Sequence, residues 1–337
     1  MRSQGRISAV LSRLAVVGTL LVTAACSGAA EPEQEPTAPA TSPGFPRTVT
    51  HAMGTTEIPA RPERVVALDN TLSGAVLLLG TELVGYTTLQ AADEPLPEYL
   101  GADAERFGAN AVPVGMLTSP NLEAIAALEP DVILSAKVRH ADLYDELSSI
   151  APTVFSETTG GTWKDNVRLA GQVLGSEARA EEEIAAFEAR AQRVGDAIRA
   201  EVGRNPVVSV VRFVDGPTRL YTENTYSGVV LADAGLARPP SQQGGDDVSA
   251  GQVEISAERI LDADADHIFV TAYPDGSGAS AANRQRFESN PLWGRLTGEI
   301  HEVSDLTWMS AVGMQGAHAI LDDLAATFGV DPSRTAE

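Results

Sequence analysis

Cysteine is the residue this chain most lacks: Cys26 is the only one among 337 residues. That excludes a disulfide within the chain and a metal cluster built on thiolates. Lysine is almost as scarce, since only Lys137 and Lys164 stand among 24 basic residues. The basic residues are therefore overwhelmingly arginine, and an arginine as such says little. Positive charge is in deficit overall, with a net charge of −22. A phosphate backbone needs a basic face, so nucleic acid is excluded as a partner. Catalytic fingerprints are missing too: there is no GxGxxG after a strand, no P-loop, no HExxH and no GxSxG. The five histidines, at 51, 140, 267, 301 and 318, are scattered. His267 falls inside an apolar strand and reads as a core residue. No metal site can be assembled from spacing, and nothing requires catalysis or a cofactor.

The chain begins with Arg2, Arg6 and Arg13, then an apolar run from Leu14 to Ala25, then Cys26. These are the charged, apolar and small-residue parts of a secretory signal. The run is too short for a comfortable transmembrane helix. A cysteine where small residues close such a run resembles a bacterial lipoprotein box, although Thr23 stands where an aliphatic residue is usual. The expectation is a signal peptide over residues 1–25 and a lipidated Cys26 as the first mature residue. Its lipid would anchor the protein outside the cell membrane. Losing three arginines and no acid takes the net charge from −22 to −25. Residues 27–46 are rich in Pro, Glu, Ala and Thr, so 26–46 reads as a disordered tether.

The organising stretch lies mid-chain. Residues 177–202, EARAEEEIAAFEARAQRVGDAIRAEV, are nearly all strong helix formers with no proline. Ile184, Phe187, Ala191, Val194 and Ile198 recur at three- and four-residue steps, which predicts one buried face. At 1.5 Å per residue the helix would run roughly 39 Å, longer than a small domain is wide. Gly195 is its one mild cost.

The halves on either side echo each other. EAIAALEPDVIL, residues 123–134, matches ERILDADADHIF, residues 258–269, as short helix, aspartate turn (Asp131, Asp266) and buried strand. Earlier in each half, RVVAL precedes SGAVLLLG and PVVSVVRF precedes YSGVVLADAGL. Two echoes in the same order imply a duplicated plan. Alternating strands and helices argue for parallel sheets covered on both faces. The reading is an α/β chain of two doubly wound lobes, residues 47–172 and 204–337, joined by a single long backbone helix over 173–203. A ligand cleft lies between the lobes. Ligands of such sheets sit beyond the carboxyl ends of the strands, which sets Asp69, Asn70, Lys137, Arg139 and His140 at one edge. A further strand is expected from Val303 to Trp308.

From about His51 onward the chain resembles the substrate-binding lipoproteins of bacterial ABC importers, and most closely their iron(III)-siderophore branch. The segments that carry the resemblance are IPARPERVVALD, PNLEAIAALEPDVIL, RHADLYDELSSIAPTVF, TWKDNVRLAGQVLG, VSVVRF, DADHIFV and NPLWGRL. RHADLYDELSSIAPTV, VVRF and TWKDN belong to siderophore binders, whereas the helix–Asp–strand pieces are shared with cobalamin and haem binders. The resemblance implies a monomer that captures a ferric siderophore, of hydroxamate or citrate–hydroxamate type, and hands it to a membrane permease. Arg139 and Arg212 would face the complex across the cleft, where a guanidinium fork suits an oxygen-rich surface. Trp163, Tyr226 and Trp308 would stack on its apolar parts. Glu123 and Glu258, at equivalent helix starts, would dock into permease arginines. Haem or cobalamin binding is the alternative on the same fold, and a secreted two-lobed hydrolase is the alternative of a different class.

Overall fold

The computed structural model describes residues 44–244 and 251–331. The expectations for residues 1–43, Cys26 among them, lie outside the described residues. Phe45 is already buried in the core, two residues ahead of the first strand.

A hairpin of Arg47–His51 and Gly54–Ile58 opens the first lobe. Its main sheet has six strands, in the order Ser119–Pro120, Val112–Met116, Leu83–Thr88, Val65–Ala67, Val132–Ala136, Thr153–Ser156. All neighbours are parallel except the short outer pair. The central strands are continuous apolar runs because both faces are covered. Val65 and Ala67 join one apolar cluster, and Val66 joins another on the opposite face.

The second lobe carries five strands, in the order Gln252–Ile255, Thr218–Tyr221, Val208–Phe213, His267–Ala272, Glu299–Glu302. The last three run parallel, and the first two are added antiparallel. This lobe is thus mixed rather than purely parallel. The strand expected over Val303 to Trp308 is displaced: Glu299–Glu302 forms the strand, and Leu306–Ser310 forms a single π turn.

The echo has a physical cause. Asp131 accepts from the backbone N–H groups of Glu63 and Arg64, at 2.8 and 2.9 Å, just before Val65–Ala67. Asp266 accepts from Val207 N–H at 2.7 Å, just before Val208–Phe213. In each lobe the turn aspartate satisfies donors at the start of the neighbouring strand, which otherwise have no ladder partner.

Between the lobes a 26-residue helix, Glu177–Val202, runs unbroken to a left-handed cap at Gly203. Ile184, Phe187, Ala191, Val194 and Ile198 are buried, as their spacing requires. They join one apolar cluster with strand residues of both lobes. Arg190, also buried, donates to His318 O at 3.0 Å and pairs with Asp322, which ties this helix to the last one, Met314–Phe328. Gly195 is no defect: a Cβ there would lie 1.7 Å from Ala234 O, so the helix touches a neighbouring backbone at that point. Among the described residues no helix is long and apolar enough to cross a membrane.

Candidate binding cleft

Residues at the carboxyl ends of the strands come together from both lobes. Asp69 follows Val65–Ala67 and caps the helix Asn70–Leu78, its Oδ1 accepting from Thr71 N–H at 3.0 Å. Its Oδ2 accepts from Arg139 Nε at 3.0 Å. Arg139 stands just past Val132–Ala136, and its Nη2 donates to Thr159 Oγ1 at 3.3 Å. Opposite, Arg212 lies near the end of Val208–Phe213. Its Nε and Nη2 grip both oxygens of buried Asp305 at 2.7 Å, and its Nη1 donates to Tyr221 Oη at 3.0 Å. Its guanidinium also sits 5.1 Å from the centre of the Tyr273 ring. Burial alone would lower the Arg212 pKa, but Tyr221 and Asp305 outweigh it and raise it.

Arg139, Arg212 and Arg219 line one cavity of about 410 Å³, with Asp69, Asn70, Leu89 and Leu117 on the first-lobe side and Tyr273 and Ser310 on the second. That volume is in the ordinary range for small-ligand sites. A larger space of about 840 Å³ lies within the second lobe beside Glu258. No first-lobe residue lines it and Arg286 is its one cation, so the smaller interlobe cavity has the better chemistry.

Three acids line this cavity, Asp69, Asp215 and Asp275, and two of them are occupied. Asp69 holds Arg139, while Asp275 accepts from the N–H groups of Gly278 and Ser280 at 2.7 Å each. The Ser280 hydroxyl and N–H lead the contacts that push the Asp275 pKa well below the usual carboxylate range. Arg219 differs from the other two arginines. Among the described residues it has no ion pair, and its buried Nε has no hydrogen-bond partner.

The floor is tied across the lobes. Asn70 Nδ2 donates to Ser310 O at 3.2 Å, the Thr71 hydroxyl donates to Val312 O, and Gln315 Nε2 donates to Gly74 O at 3.0 Å. Val312 holds a left-handed φ of 45°, a costly conformation for a β-branched residue.

Three aromatic expectations are corrected. Trp163 and Trp308 have no exposure and Tyr226 only 3%. Trp163 packs edge-on against Phe187 and Tyr226 at the backbone helix. Tyr226 donates its hydroxyl to Gly313 O at 2.9 Å. Trp308 stacks on Phe269 at 4.7 Å and donates Nε1–H to Asp323 at 2.7 Å. All three bury their rings in the core rather than offering them to a ligand; the ring in the cleft is Tyr273. Lys137 and His140 also leave the group expected at the edge: Lys137 pairs with Glu157 in solvent, and His140 is buried between Ser135 Oγ and Leu117 O. Burial lowers the His140 pKa. Arg219 and Tyr273 went unselected in the sequence. The signal for Arg219 was its alternation with apolar Leu220 in a short strand; Tyr273 carried none beyond following a buried strand.

Glu123 and Glu258 are exposed, each nine residues ahead of a central strand that begins at Val132 or His267. They stand at matching places on the two lobes and line no part of the interlobe cavity.

Two α/β lobes on one long helix, with an arginine-lined cavity between them, have the build of a ligand-binding protein. The chain belongs to the periplasmic binding protein family, whose pattern it matches over residues 65–298. It is 38% identical over 293 residues to a protein of Bacillus subtilis (strain 168) named "Probable siderophore-binding lipoprotein YfiY", covering 84% of this chain and 87% of that one. It is 27% identical over 303 residues to the Fe(3+) dicitrate-binding periplasmic protein FecB of Escherichia coli (strain K12), covering 86% and 93%. Among solved structures, Staphylococcus aureus SirA complexed with staphyloferrin B superposes with a TM-score of 0.74 at 29% identity, covering 85% of this chain and 100% of that one.

Proposed function

We propose that this protein captures an iron(III)-siderophore outside the cytoplasmic membrane and delivers it to an ABC permease, anchored meanwhile through lipidated Cys26. The observation that carries this reading is the convergence of Arg139, Arg212 and Arg219 from two lobes on one cavity. A ferric siderophore keeps its own oxygen donors on the metal and presents an oxygen-rich outer shell. Planar forks bind such a shell without competing for the iron. The relatives named above for a siderophore and for ferric dicitrate support the same ligand class. Within that class a citrate–hydroxamate chelate is the first choice, because a carboxylate would suit Arg219, which has no ion pair among the described residues, better than a neutral hydroxamate alone. Glu123 and Glu258 serve in this reading as the permease contacts.

Titration calorimetry with a panel of ferric citrate–hydroxamate, trihydroxamate and catecholate complexes, and with haem and cobalamin, tests it. Saturable one-to-one binding of a ferric siderophore is expected. Haem or cobalamin binding with no response to any ferric siderophore would reverse it.

A further inference from the structure

The end of the second lobe away from the cleft holds a cluster that the ligand reading does not use. Edge strand Glu299–Glu302 runs parallel to His267–Ala272, with His267 opposite Glu299 and Phe269 opposite His301. Residues two apart on a strand share a face, so His267, Glu299 and His301 point the same way. His267 Nδ1 lies 2.9 Å from His301 Nε2 and 4.0 Å from Glu299 Oε2. One ligand atom from each of the three falls within 4.8 Å of the others.

Their surroundings fix the rings and leave the opening free. The His267 ring sits 4.4 Å from Phe328 and 5.2 Å from His301, which in turn sits 5.1 Å from Phe269. Both imidazoles are half-buried and Glu299 is exposed. The adjacent acid, Asp266, does not compete, since Arg204 and Val207 N–H occupy it. Imidazole nitrogens held by aromatic neighbours, with a carboxylate at the mouth, are the donor set of a borderline divalent ion that keeps one position for water.

We propose that His267, Glu299 and His301 bind a divalent transition-metal ion of the zinc class. Two imidazole nitrogens at about 2.0–2.1 Å from a tetrahedral ion are about 3.3 Å apart, so the pair need open by only a few tenths of an ångström. Each ring must present a lone pair. The imidazole that donates in the metal-free pair shifts its proton to its outer nitrogen, and no net proton is released. The site is separate from the cargo site. His267 opens its strand, Tyr273 follows the end of it, and six residues at about 3.3 Å each put roughly 20 Å between them. An ion here would staple the edge strand to its neighbour and stabilise the fold by mass action.

Cobalt(II) reports the geometry by its visible spectrum, and zinc(II) the affinity by calorimetry, on the full chain. The expected result is an intense tetrahedral cobalt spectrum that zinc(II) displaces. Glu299→Gln should weaken zinc binding about tenfold and His301→Gln roughly a hundredfold, with circular dichroism unchanged. Only the weak octahedral spectrum with the unmodified chain, or an intact tetrahedral spectrum in His301→Gln, would overturn the site. Should His301→Gln disturb the fold, exposed Glu299 decides alone: unaltered zinc affinity in Glu299→Gln overturns it.

Discussion

Arg212 and Arg219 stand opposite each other on adjacent antiparallel strands, yet only Arg212 is held by a carboxylate, Asp305. Cross-strand neighbours share a face, and like charges placed so are unfavourable. Asp305 offsets one of the two; Arg219 has Glu254 opposite it on its other neighbouring strand and shares the cavity lining with Asp215, and among the described residues it forms an ion pair with neither.

The two arginines should separate in their effects. Arg219→Gln should weaken ferric-siderophore binding about tenfold, near 1.4 kcal/mol, with no change in melting temperature. Arg212→Ala should weaken binding by at least as much and also cost about 3 kcal/mol of stability or more, because it strands a buried carboxylate. Adding Asp305→Asn to Arg212→Ala should restore much of the stability and none of the affinity. Calorimetry and thermal melts on the three variants check this. Equal stability loss for Arg219→Gln would mean that its charge has a structural partner.

The frame was legible in the sequence because it rests on periodicity. The helix from Glu177 to Val202 announces itself by spacing, and the aspartates at 131 and 266 recur because each satisfies the same strand-start donors. Family motifs singled out Arg139 and Arg212, and both line the interlobe cavity. The aromatic residues were not, because a tryptophan near a lobe boundary reads the same whether it faces a ligand or a core. Trp163 and Trp308 are core because Phe187 and Phe269 meet them there. The pairing of His267 with His301 was hidden for another reason: 34 residues separate them, and only the register of two parallel strands joins them.

Gly195 tests the backbone helix. A methyl group at that position would meet Ala234 O at 1.7 Å, and a backbone carbonyl cannot swing aside as a side chain can. Gly195→Ala gains helix propensity but should destabilise the protein by about 2 kcal/mol or more through overpacking. Chemical denaturation checks the sign. A stabilised variant would show that the helix has room to slide on its neighbour.

Acid should loosen the second lobe at Asp266. The paired Arg204 guanidinium first, and the Val207 N–H with it, hold this carboxyl down at about 2. A depressed pKa contributes stability that is fully present above about pH 4, where an unfolded aspartate is ionised. That contribution is lost as pH falls through about 2. Asp266→Asn should therefore melt below the unmodified protein at neutral pH, with the gap narrowing below pH 4 and closing near pH 2. A gap independent of pH would assign the loss to packing alone.

Glu123 and Glu258 separate capture from delivery. Both carboxylates are exposed, one on each lobe, and neither lines the interlobe cavity. Glutamate in a first helical turn is favoured by the helix dipole, so some stability effect of replacing it is expected on that ground alone. A docking role predicts more: Glu123→Ala with Glu258→Ala should leave ferric-siderophore affinity unchanged and sharply reduce iron uptake by cells that depend on this importer. Each single variant should retain part of the uptake, because the other lobe still engages the permease. Charge reversal, Glu123→Arg with Glu258→Arg, should abolish uptake if the permease presents arginines, since like charges then meet at both contacts. Normal uptake by the double alanine variant would leave these glutamates only the part of helix-start residues.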